Sequence, residues 1–591
     1  MNYLRINQKS LPALMLIAIA VVFAIDETSL GQSPQRPADE GETGTTRSGV
    51  IRGRVVADGQ PVPNARVSLT SLNGQWRSVP TENDGTFQLK GLEPGVFSIS
   101  AWAPGYASVP IDVDAGEHLF RIGDSVTINL IRGGVITGKV LNSADEPVVA
   151  VRVLATMIRD ANDKQPRIGA SVAQSSDDRG VYRLYGLLPG TYVVSAGGGQ
   201  GSEYNHAYDY DVPKYAPSST RDTASEITVG SGEEIKDVDI RYRGELGHSV
   251  SGRVTSMPNP KSPFGVALWR VRDGILEVDK STSQETSGGG FELHGVPDGD
   301  YDLWAHSSSS TGESAQSEPR RISVKGADIT GIEMVTRPLP SISGQLILID
   351  SQVPECKGKR RPLFDETLIT AQFNRRQPAR GQTQLPYFFT RPAAPDKAGE
   401  FALRNLLPGQ YSLTPSIFAK YWYLQSITLP SMRSGAPQSS AAPNQSVDGA
   451  RNWIALKLGE QLKGLKITLA EGAASVEGKL KLPGDEQVPP EMYVNFIPAE
   501  PEKTDDVLRY FTASVNSDGG FTLSQIPPGR YFVFARVQNK DDLETKANLR
   551  FPGGTEARKK LRRQAEANKK QIELKPCQRI MDLELSLTQL N

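Results

Sequence analysis

The sequence has little cysteine and little histidine for its length. Its 591 residues include two cysteines and five histidines, which excludes a disulfide-dense scaffold and a four-cysteine zinc module. An excess of one charge is also missing, because 66 basic residues face 67 acidic ones. Nucleic acid is therefore not an expected partner. The chain also lacks the Walker phosphate loop and the Gly-x-Ser-x-Gly nucleophile elbow.

Long apolar runs are scarce, and the one that stands out lies near the N-terminus. Residues 11–25 are apolar, with one proline, and follow a start that carries Arg5 and Lys9. A basic start before about fifteen apolar residues is typical of a secretory signal peptide, whereas a spanning helix needs roughly twenty. We predict a signal peptide over residues 1–31, with an uncleaved N-terminal anchor as the open alternative.

Residues 32–48 are polar and contain almost no apolar side chains. Such a segment cannot bury a core, so we predict a disordered leader. No later stretch reaches spanning length, and no membrane span is expected beyond the N-terminal segment. The mature chain is therefore expected to be secreted, periplasmic or held at the cell surface.

Glycine and proline are plentiful, at 56 and 41 residues, and a block built on them occurs five times with identical spacing. In each copy a glycine precedes alternating apolar residues, and a Pro-Gly or Asp-Gly turn leads to a further aromatic. This pattern predicts a β-hairpin with one aromatic side chain on each arm. The copies begin at Gly85, Gly180, Gly289, Gly399 and Gly519, and the first continues with Phe87, Leu89, Leu92, Pro94, Gly95 and Phe97.

A second shared element lies upstream of each hairpin, where apolar residues flank a central glycine. The pattern predicts a strand with a bulge or with a close approach of another backbone. The central glycines are Gly53, Gly138, Gly252, Gly344 and Gly478. With a closing strand in each copy, the chain is predicted to be all-β. The predicted domains are small β-sandwiches at 49–132, 133–244, 246–338, 340–471 and 473–591. One charged helix is expected, over residues 555–574.

The glycine-centred strand, Asp84-Gly85-Thr86-Phe87 and the segment from Leu92 to Phe97 together resemble the carboxypeptidase regulatory-like domain. The resemblance covers most of residues 49–587. It implies tandem transthyretin-like sandwiches, a fold grouped with the Cna B-type and starch-binding-like domains. The third copy departs from the pattern, because Asp298 stands in place of the turn proline.

The resemblance is specific for the fold and implies no activity. In metallocarboxypeptidases this module is an accessory domain, and the zinc site of the separate catalytic domain needs a His-x-x-Glu pair. None of the five histidines has a glutamate three residues later, and the repeats occupy the mature length. The protein is therefore predicted to be no enzyme, with no catalytic residues, metal or cofactor.

Two aromatic segments are candidate binding sites. Tyrosine offers a flat apolar face and a polar tip, which suits stacking against sugar rings or a partner protein. The insertion after the second hairpin contains Tyr204, His206, Tyr208 and Tyr210, followed by Tyr215. The fourth copy contains Phe418, Tyr421, Trp422 and Tyr423. The alternative in both cases is that the rings pack onto the sandwich. Trp102, Tyr106 and Trp304 are expected to be structural.

Cys356 and Cys577 lie in the fourth and fifth copies. In an exported protein, so sparse a pair suggests an interdomain disulfide, with two free buried thiols as the alternative.

The sequence thus favours a non-enzymatic, exported binding or scaffold protein. The resemblance to the starch-binding-like fold makes polysaccharide or cell-wall glycan the first ligand class to test. The alternatives are a structural spacer or a protein-interaction module that binds envelope proteins, and an accessory part of a peptidase system.

Overall fold

The computed structural model describes the chain at residues 49–71, 76–108, 119–163, 171–198, 208–218, 220–256, 263–272, 275–284, 289–308, 312–374, 392–430, 447–482, 488–489, 492–537 and 555–586. The strands in these ranges form five β-sandwich domains in series, so the predicted all-β tandem architecture is confirmed.

The strands are numbered along the chain. In the first domain, β1–β9 are Val50–Ala57, Gln60–Pro61, Arg66–Ser71, Trp76–Pro80, Thr86–Lys90, Val96–Trp102, Tyr106–Ser108, Leu119–Arg121 and Ser125–Arg132. In the second, β10–β18 are Gly134–Leu141, Arg152–Asp160, Ser171–Ser175, Val181–Leu187, Gly190–Ala196, Lys214–Tyr215, Ile227–Val229, Glu234–Ile235 and Ile240–Arg241. In the third, β19–β26 are His248–Ser256, Phe264–Arg272, Ile275–Gln284, Gly290–Val296, Gly299–Ser308, Ser314–Gln316, Arg320–Val324 and Ile329–Pro338.

In the fourth domain, β27–β34 are Ser341–Ile349, Leu368–Phe373, Glu400–Leu403, Gly409–Ser416, Trp422–Leu429, Val447–Asp448, Ile454–Leu456 and Gln461–Glu471. In the fifth, β35–β41 are Ala474–Lys481, Met492–Pro498, Phe511–Ser514, Gly520–Ile526, Gly529–Val537, Gln571–Leu574 and Arg579–Ser586. Helix α1, Thr555–Asn568, lies between β39 and β40. Short 3-10 turns occur at Arg221–Thr223, Pro354–Cys356, Phe364–Glu366, Pro501–Lys503 and Val507–Arg509.

All five domains share one strand plan. The first strand pairs in parallel with the last strand and antiparallel with the first arm of the hairpin, as β1 does with β9 and β5. In the facing sheet, the return arm of the hairpin pairs with an earlier strand, as β6 does with β3. In the third domain, β24 pairs with both β23 and β26 and so joins the two sheets.

The hairpin aromatics lie between the two sheets. Phe87 and Phe97, on the two arms of the first hairpin, are both buried in the core of that domain. The equivalent residues are buried in the other four domains: Tyr182 and Tyr192, Phe291 and Tyr301, Phe401 and Tyr411, and Phe521 and Tyr531. The repeated spacing therefore places one aromatic pair in each core.

The central glycine of the first strand is required because the last strand passes very close to it. A Cβ added at Gly344 would lie 2.1 Å from the carbonyl oxygen of Leu465 in β34. The corresponding carbonyl lies 2.0–2.4 Å away at the other four positions, Gly53, Gly138, Gly252 and Gly478. Real Cβ atoms do not approach a carbonyl oxygen so closely, so the close backbone approach predicted from the sequence is confirmed.

The return-arm tyrosines share a hydrogen bond to the turn. The hydroxyl of Tyr411 donates to the carbonyl oxygen of Leu407 at 2.8 Å, four residues earlier. The same bond occurs at Tyr192, Tyr301 and Tyr531, at 2.7–2.8 Å. Burial also raises the pKa of the Tyr192 and Tyr531 hydroxyls, which stay protonated as donors.

Replacing Tyr411 by phenylalanine tests this bond. The ring would still fill the core, but the buried carbonyl of Leu407 would lose its donor, so unfolding free energy should fall by about 1 kcal/mol. Urea unfolding of the full chain measures the change. Tyr185→Phe is the matched control, since Tyr185 is exposed; an equal loss in both variants would contradict the assignment.

The charged helix is shorter than predicted. It ends at Asn568, and residues 571–574 form β40, which pairs with β39. The prediction of helix through residue 574 was therefore wrong, because the sheet binds this segment as a strand. Leu561 and Ala565 of α1 pack against Phe532 and Phe534 on the outer face of the fifth domain.

The basic residues of α1 partly serve this docking. The guanidinium of Arg562 donates to the carbonyl oxygen of Pro498 at 2.9 Å and to the hydroxyl of Thr504 at 2.7 Å. Arg558 is buried, and burial lowers its pKa. Some of the basic residues of α1 therefore attach the helix to its own domain.

Candidate binding surfaces and domain junctions

The tyrosine segment of the second domain lies at its junction with the third. Tyr204 and His206 fall outside the described residues. Tyr208 packs edge-on against Tyr242, with ring centroids 5.6 Å apart, and its hydroxyl donates to the carbonyl oxygen of Val149 at 3.1 Å. Tyr208 therefore has a packing role in its own domain, as the alternative interpretation expected.

Tyr210 is more open, with 46% of its surface exposed. Its ring lies 4.5 Å from that of His294 in the third domain, and its carbonyl oxygen accepts a hydrogen bond from Gly247 at 3.0 Å. One side of the Tyr210 ring therefore contacts the third domain at its junction with the second.

The aromatic segment of the fourth domain divides between core and surface. Trp422 has no exposed surface and lies in the hydrophobic core. Its candidate role in ligand binding is corrected to a structural one, because a fully enclosed indole offers no face to a ligand. Tyr421 is half-buried, with the ammonium of Lys359 4.5 Å above its ring. Tyr423 is also half-buried, and burial raises its pKa.

The fourth and fifth domains are joined covalently. Cys356 and Cys577 form a disulfide across a sequence separation of 221 residues. Val507 of the fifth domain is buried in the core of the fourth. The side-chain amide of Gln525 donates to the carbonyl oxygen of Ile417. The two sandwiches therefore form one unit.

Removal of this disulfide in a Cys356→Ser/Cys577→Ser variant should destabilise the pair of domains by about 2–3 kcal/mol, because the cross-link restricts the unfolded chain. Denaturant unfolding measures the loss. Reduction of the unchanged protein should reproduce it, while the double variant should not respond to reductant. Equal unfolding midpoints for the oxidised protein and the variant would contradict the prediction.

The first and fourth domains meet although two domains separate them in the chain. A guanidinium nitrogen of Arg121 lies 3.7 Å from a carboxylate oxygen of Glu366, and both side chains are more than nine-tenths buried. The Arg121 guanidinium also lies 4.3 Å above the ring of Phe418. Arg360 makes a second ion pair with Glu366, so the glutamate is held between two cations. Buried charges are tolerated when paired in this way.

The junctions of the first domain with the second and of the third with the fourth include backbone hydrogen bonds and bonds of the Asn405 side-chain amide. Gly133 donates to the carbonyl oxygen of Gly105 at 2.9 Å near the start of the second domain. Asn405 of the fourth domain accepts from the backbone of Ser314 at 2.8 Å and donates to the carbonyl oxygen of Gly312 at 2.9 Å. The two bonds of Asn405 connect the third and fourth domains.

Trp76 and Trp102 are the prominent exposed aromatics that sequence reasoning missed. They lie in the first domain and are 58% and 59% exposed. The expectation that Trp102 is structural was wrong, because its position on β6 points outward, whereas Trp304 is indeed buried. The register of β6 after the Pro-Gly turn was the signal that could have found Trp102.

Two of the three histidines that the structure describes, His248 and His294, lie near carboxylates without forming a metal centre. His248 lies 3.3 Å from Asp298 and 3.9 Å from Asp328, and His294 lies 3.7 Å from Glu292. Within the described ranges, no three His, Cys, Asp or Glu side chains group closely enough to hold a metal ion. No helix in that part of the chain has the length and apolar character needed to cross a membrane.

Several solved structures are similar to parts of the chain. The Bacillus anthracis TIE protein is 14% identical over 49% of this chain and 51% of its own, with a TM-score of 0.14. The Bacillus cereus major pilin subunit BcpA is 10% identical over 49% and 99%, with a TM-score of 0.14. The Streptococcus agalactiae minor pilin is 12% identical over 33% and 97%, with a TM-score of 0.18. The chain thus spans about half the length of the Bacillus anthracis TIE protein. TM-scores this low give no basis for assigning a function.

Among curated proteins, none matches this chain. Residues 50–121 match the carboxypeptidase regulatory-like domain, which is the stretch that holds β1 to β8 and the first of the five hairpins. The chain therefore contains a carboxypeptidase regulatory-like domain at residues 50–121.

Proposed function

We propose that this chain is a non-enzymatic, exported scaffold and binding protein that holds five β-sandwiches in fixed positions. The observation that carries the proposal is the set of contacts made by the fourth domain. It reaches the first domain through a buried ion pair, and the fifth through a disulfide and a shared core. Independent modules on a string would need none of these contacts, since domains within a chain usually move relative to one another.

Small-angle X-ray scattering of the purified full chain tests the fixed arrangement. The scattering of a rigid scaffold should fit one conformation of the described domains. A profile that fits only a broad ensemble of separated domains would contradict the scaffold proposal.

The disulfide also supports a location outside the cytoplasm. Disulfides persist in oxidising compartments and are rare in the cytosol, so the Cys356–Cys577 bond fits a secreted, periplasmic or cell-surface protein. Export would depend on the signal peptide proposed for residues 1–31. An alkaline phosphatase reporter at the C-terminus should be active in the full chain and inactive after deletion of residues 1–31. Equal activity in both would contradict export by this segment.

Polysaccharide or cell-wall glycan is the ligand class we propose first, because the scaffold presents exposed aromatic rings, Tyr210, Trp76 and Trp102 among them. Several weak sites on one scaffold would gain from effective concentration. A panel of polysaccharides and cell-wall fragments tests this, with saturable binding as the expected result. Failure to bind any glycan would leave a structural spacer, or a module that binds envelope proteins, as the function of the scaffold.

A further inference from the structure

The outer face of the second sheet in the first domain carries two exposed tryptophans. Strand β3 lies between β4 and β6, and its residues pair with both. Trp76 of β4 pairs with Thr70, and Trp102 of β6 pairs with Arg66. Because side chains alternate across a strand, Thr70 and Arg66 lie on the same face. Both indoles therefore lie on that face, near opposite corners.

The pairing register also sets the spacing of the two indoles. Four residues of β3 separate their partners, which is about 13 Å along the strand, and two strand spacings add about 10 Å across the sheet. The indoles are thus about 16 Å apart diagonally. An extended chain of several rings could contact both, whereas one small ligand could not.

Hydroxyl groups occupy the surface between the two indoles. The hydroxyl side chains on this face between the tryptophans are those of Ser68, Thr70, Ser78, Ser98 and Ser100. Thr70, Ser98 and Ser100 are exposed, and Ser68 is half-buried. A protein interface normally centres on a buried apolar cluster, which these hydroxyls do not supply. Hydroxyls beside flat aromatic rings instead match the alternating polar edges and apolar faces of sugar rings.

The charge near the tryptophans is positive. Arg66 lies directly across from Trp102 and is exposed. Arg77 pairs with the buried Leu69 and so lies on the opposite face of β4, although its guanidinium donates to the backbone carbonyl oxygen of Trp76 at 3.0 Å. Among the described residues of this face, none carries a carboxylate. Trp102 thus has an exposed cationic neighbour, an arrangement complementary to an acidic ligand.

The face also continues from an interdomain contact. Val96 and Arg121 pair in register at one end of the same sheet, and both are buried. Arg121 there contacts Glu366 and Phe418 of the fourth domain. The next pair on this face, Ser98 with Leu119, begins the open surface that leads to Trp76. The fourth domain therefore borders the face and fixes its surroundings.

From this geometry we propose that the face bearing Trp76 and Trp102 binds an acidic polysaccharide. The sugar rings stack on the two indoles, and Arg66 pairs with a carboxylate of the sugar units. This inference rests on the proposed glycan-binding function and gives it a surface and a ligand charge.

Polygalacturonate, a polymer of uronic acid units, is the probe, and amylose is the neutral comparison. The full chain and its Trp76→Ala and Trp102→Ala variants would be titrated by calorimetry. Polygalacturonate affinity should fall about tenfold in each tryptophan variant, since stacking on an exposed ring contributes on this scale. Arg66→Gln should weaken polygalacturonate binding severalfold. Tyr185→Ala, which removes an exposed ring from the second domain, should leave it unchanged.

Other outcomes would overturn the inference. Binding that depends on Arg66 but is unchanged in Trp76→Ala/Trp102→Ala would indicate a diffuse charge effect. Equal affinity for amylose and polygalacturonate would contradict the preference for an acidic ligand. Glycan binding that survives the double tryptophan variant would leave the proposed function standing and move its site elsewhere. A change in oligomeric state of that variant, measured by sedimentation, would assign the face to self-association.

Discussion

Gly344→Ala is expected to destabilise the fourth domain by about 4 kcal/mol or more, the range of the most damaging single substitutions. The added methyl group would lie 2.1 Å from the carbonyl oxygen of Leu465 and 3.0 Å from its Cβ. Neither atom is the free end of a flexible side chain. The parallel pair of β27 and β34 would have to separate, and their residues Ile342 and Leu465 both lie in the core.

The measurement is thermal and denaturant unfolding of the full chain beside a second glycine variant. Gly290→Ala is the matched control, because a methyl group there would meet no atom within 4 Å. The control should change stability by less than 1 kcal/mol, whereas Gly344→Ala should produce a separate early transition. Similar small losses in both variants would mean that the strands move apart at little cost.

The repeat-level features of the fold could be predicted because each is local in the sequence. The spacing that begins at Gly85 encodes strand, turn and strand within a few residues, and the aromatics of the hairpin are buried in all five domains. The central glycine, as at Gly53, signalled a close backbone approach that the added-Cβ distance of 2.3 Å confirms. Propensity and alternation are sufficient for such features.

The contacts between domains could not be predicted in the same way. Arg121 and Glu366 are ordinary charged residues in two distant repeats, and no local pattern marks a pair that becomes buried only when the domains meet. Composition also misled at residues 571–574, where helix-forming neighbours precede a segment that joins a sheet. Tertiary pairing overrode local preference there.

The candidate binding residues show the same division between local pattern and assembled structure. The aromatic run at Tyr421, Trp422 and Tyr423 was visible in the sequence, but alternation could not say which face is the core. The structure places Trp422 inside. Trp76 and Trp102 come from separate strands, and only the register of β3 with its two neighbours places them on one face.

Arg121→Glu is expected to detach the first domain from the fourth. The new carboxylate would face Glu366 in a site where both present side chains are more than nine-tenths buried. The substitution would also remove the contact of the Arg121 guanidinium with the ring of Phe418. Breaking a buried ion pair by removing one partner costs about 3–5 kcal/mol, because the other charge is left without compensation.

Small-angle scattering measures the detachment as an increase in the radius of gyration of the full chain. Circular dichroism should stay unchanged, because each sandwich keeps its own core. Glu366→Gln added to Arg121→Glu removes the repulsion between the two carboxylates and should restore most of the compact form. Arg241→Glu is a control, since its partner Asp145 lies within the same domain and both are exposed.

The combination of these variants separates two explanations for the contact. If Arg121→Glu expands the chain and the second substitution reverses the expansion, the ion pair determines how the first domain sits against the fourth. An unchanged radius of gyration in Arg121→Glu would mean that other contacts hold the two domains, and the buried pair would then be a consequence of their docking. The face bearing Trp76 and Trp102 lies next to Arg121. A detached first domain would no longer have the fourth domain at the border of this face, so glycan binding at the face gives a second readout of detachment.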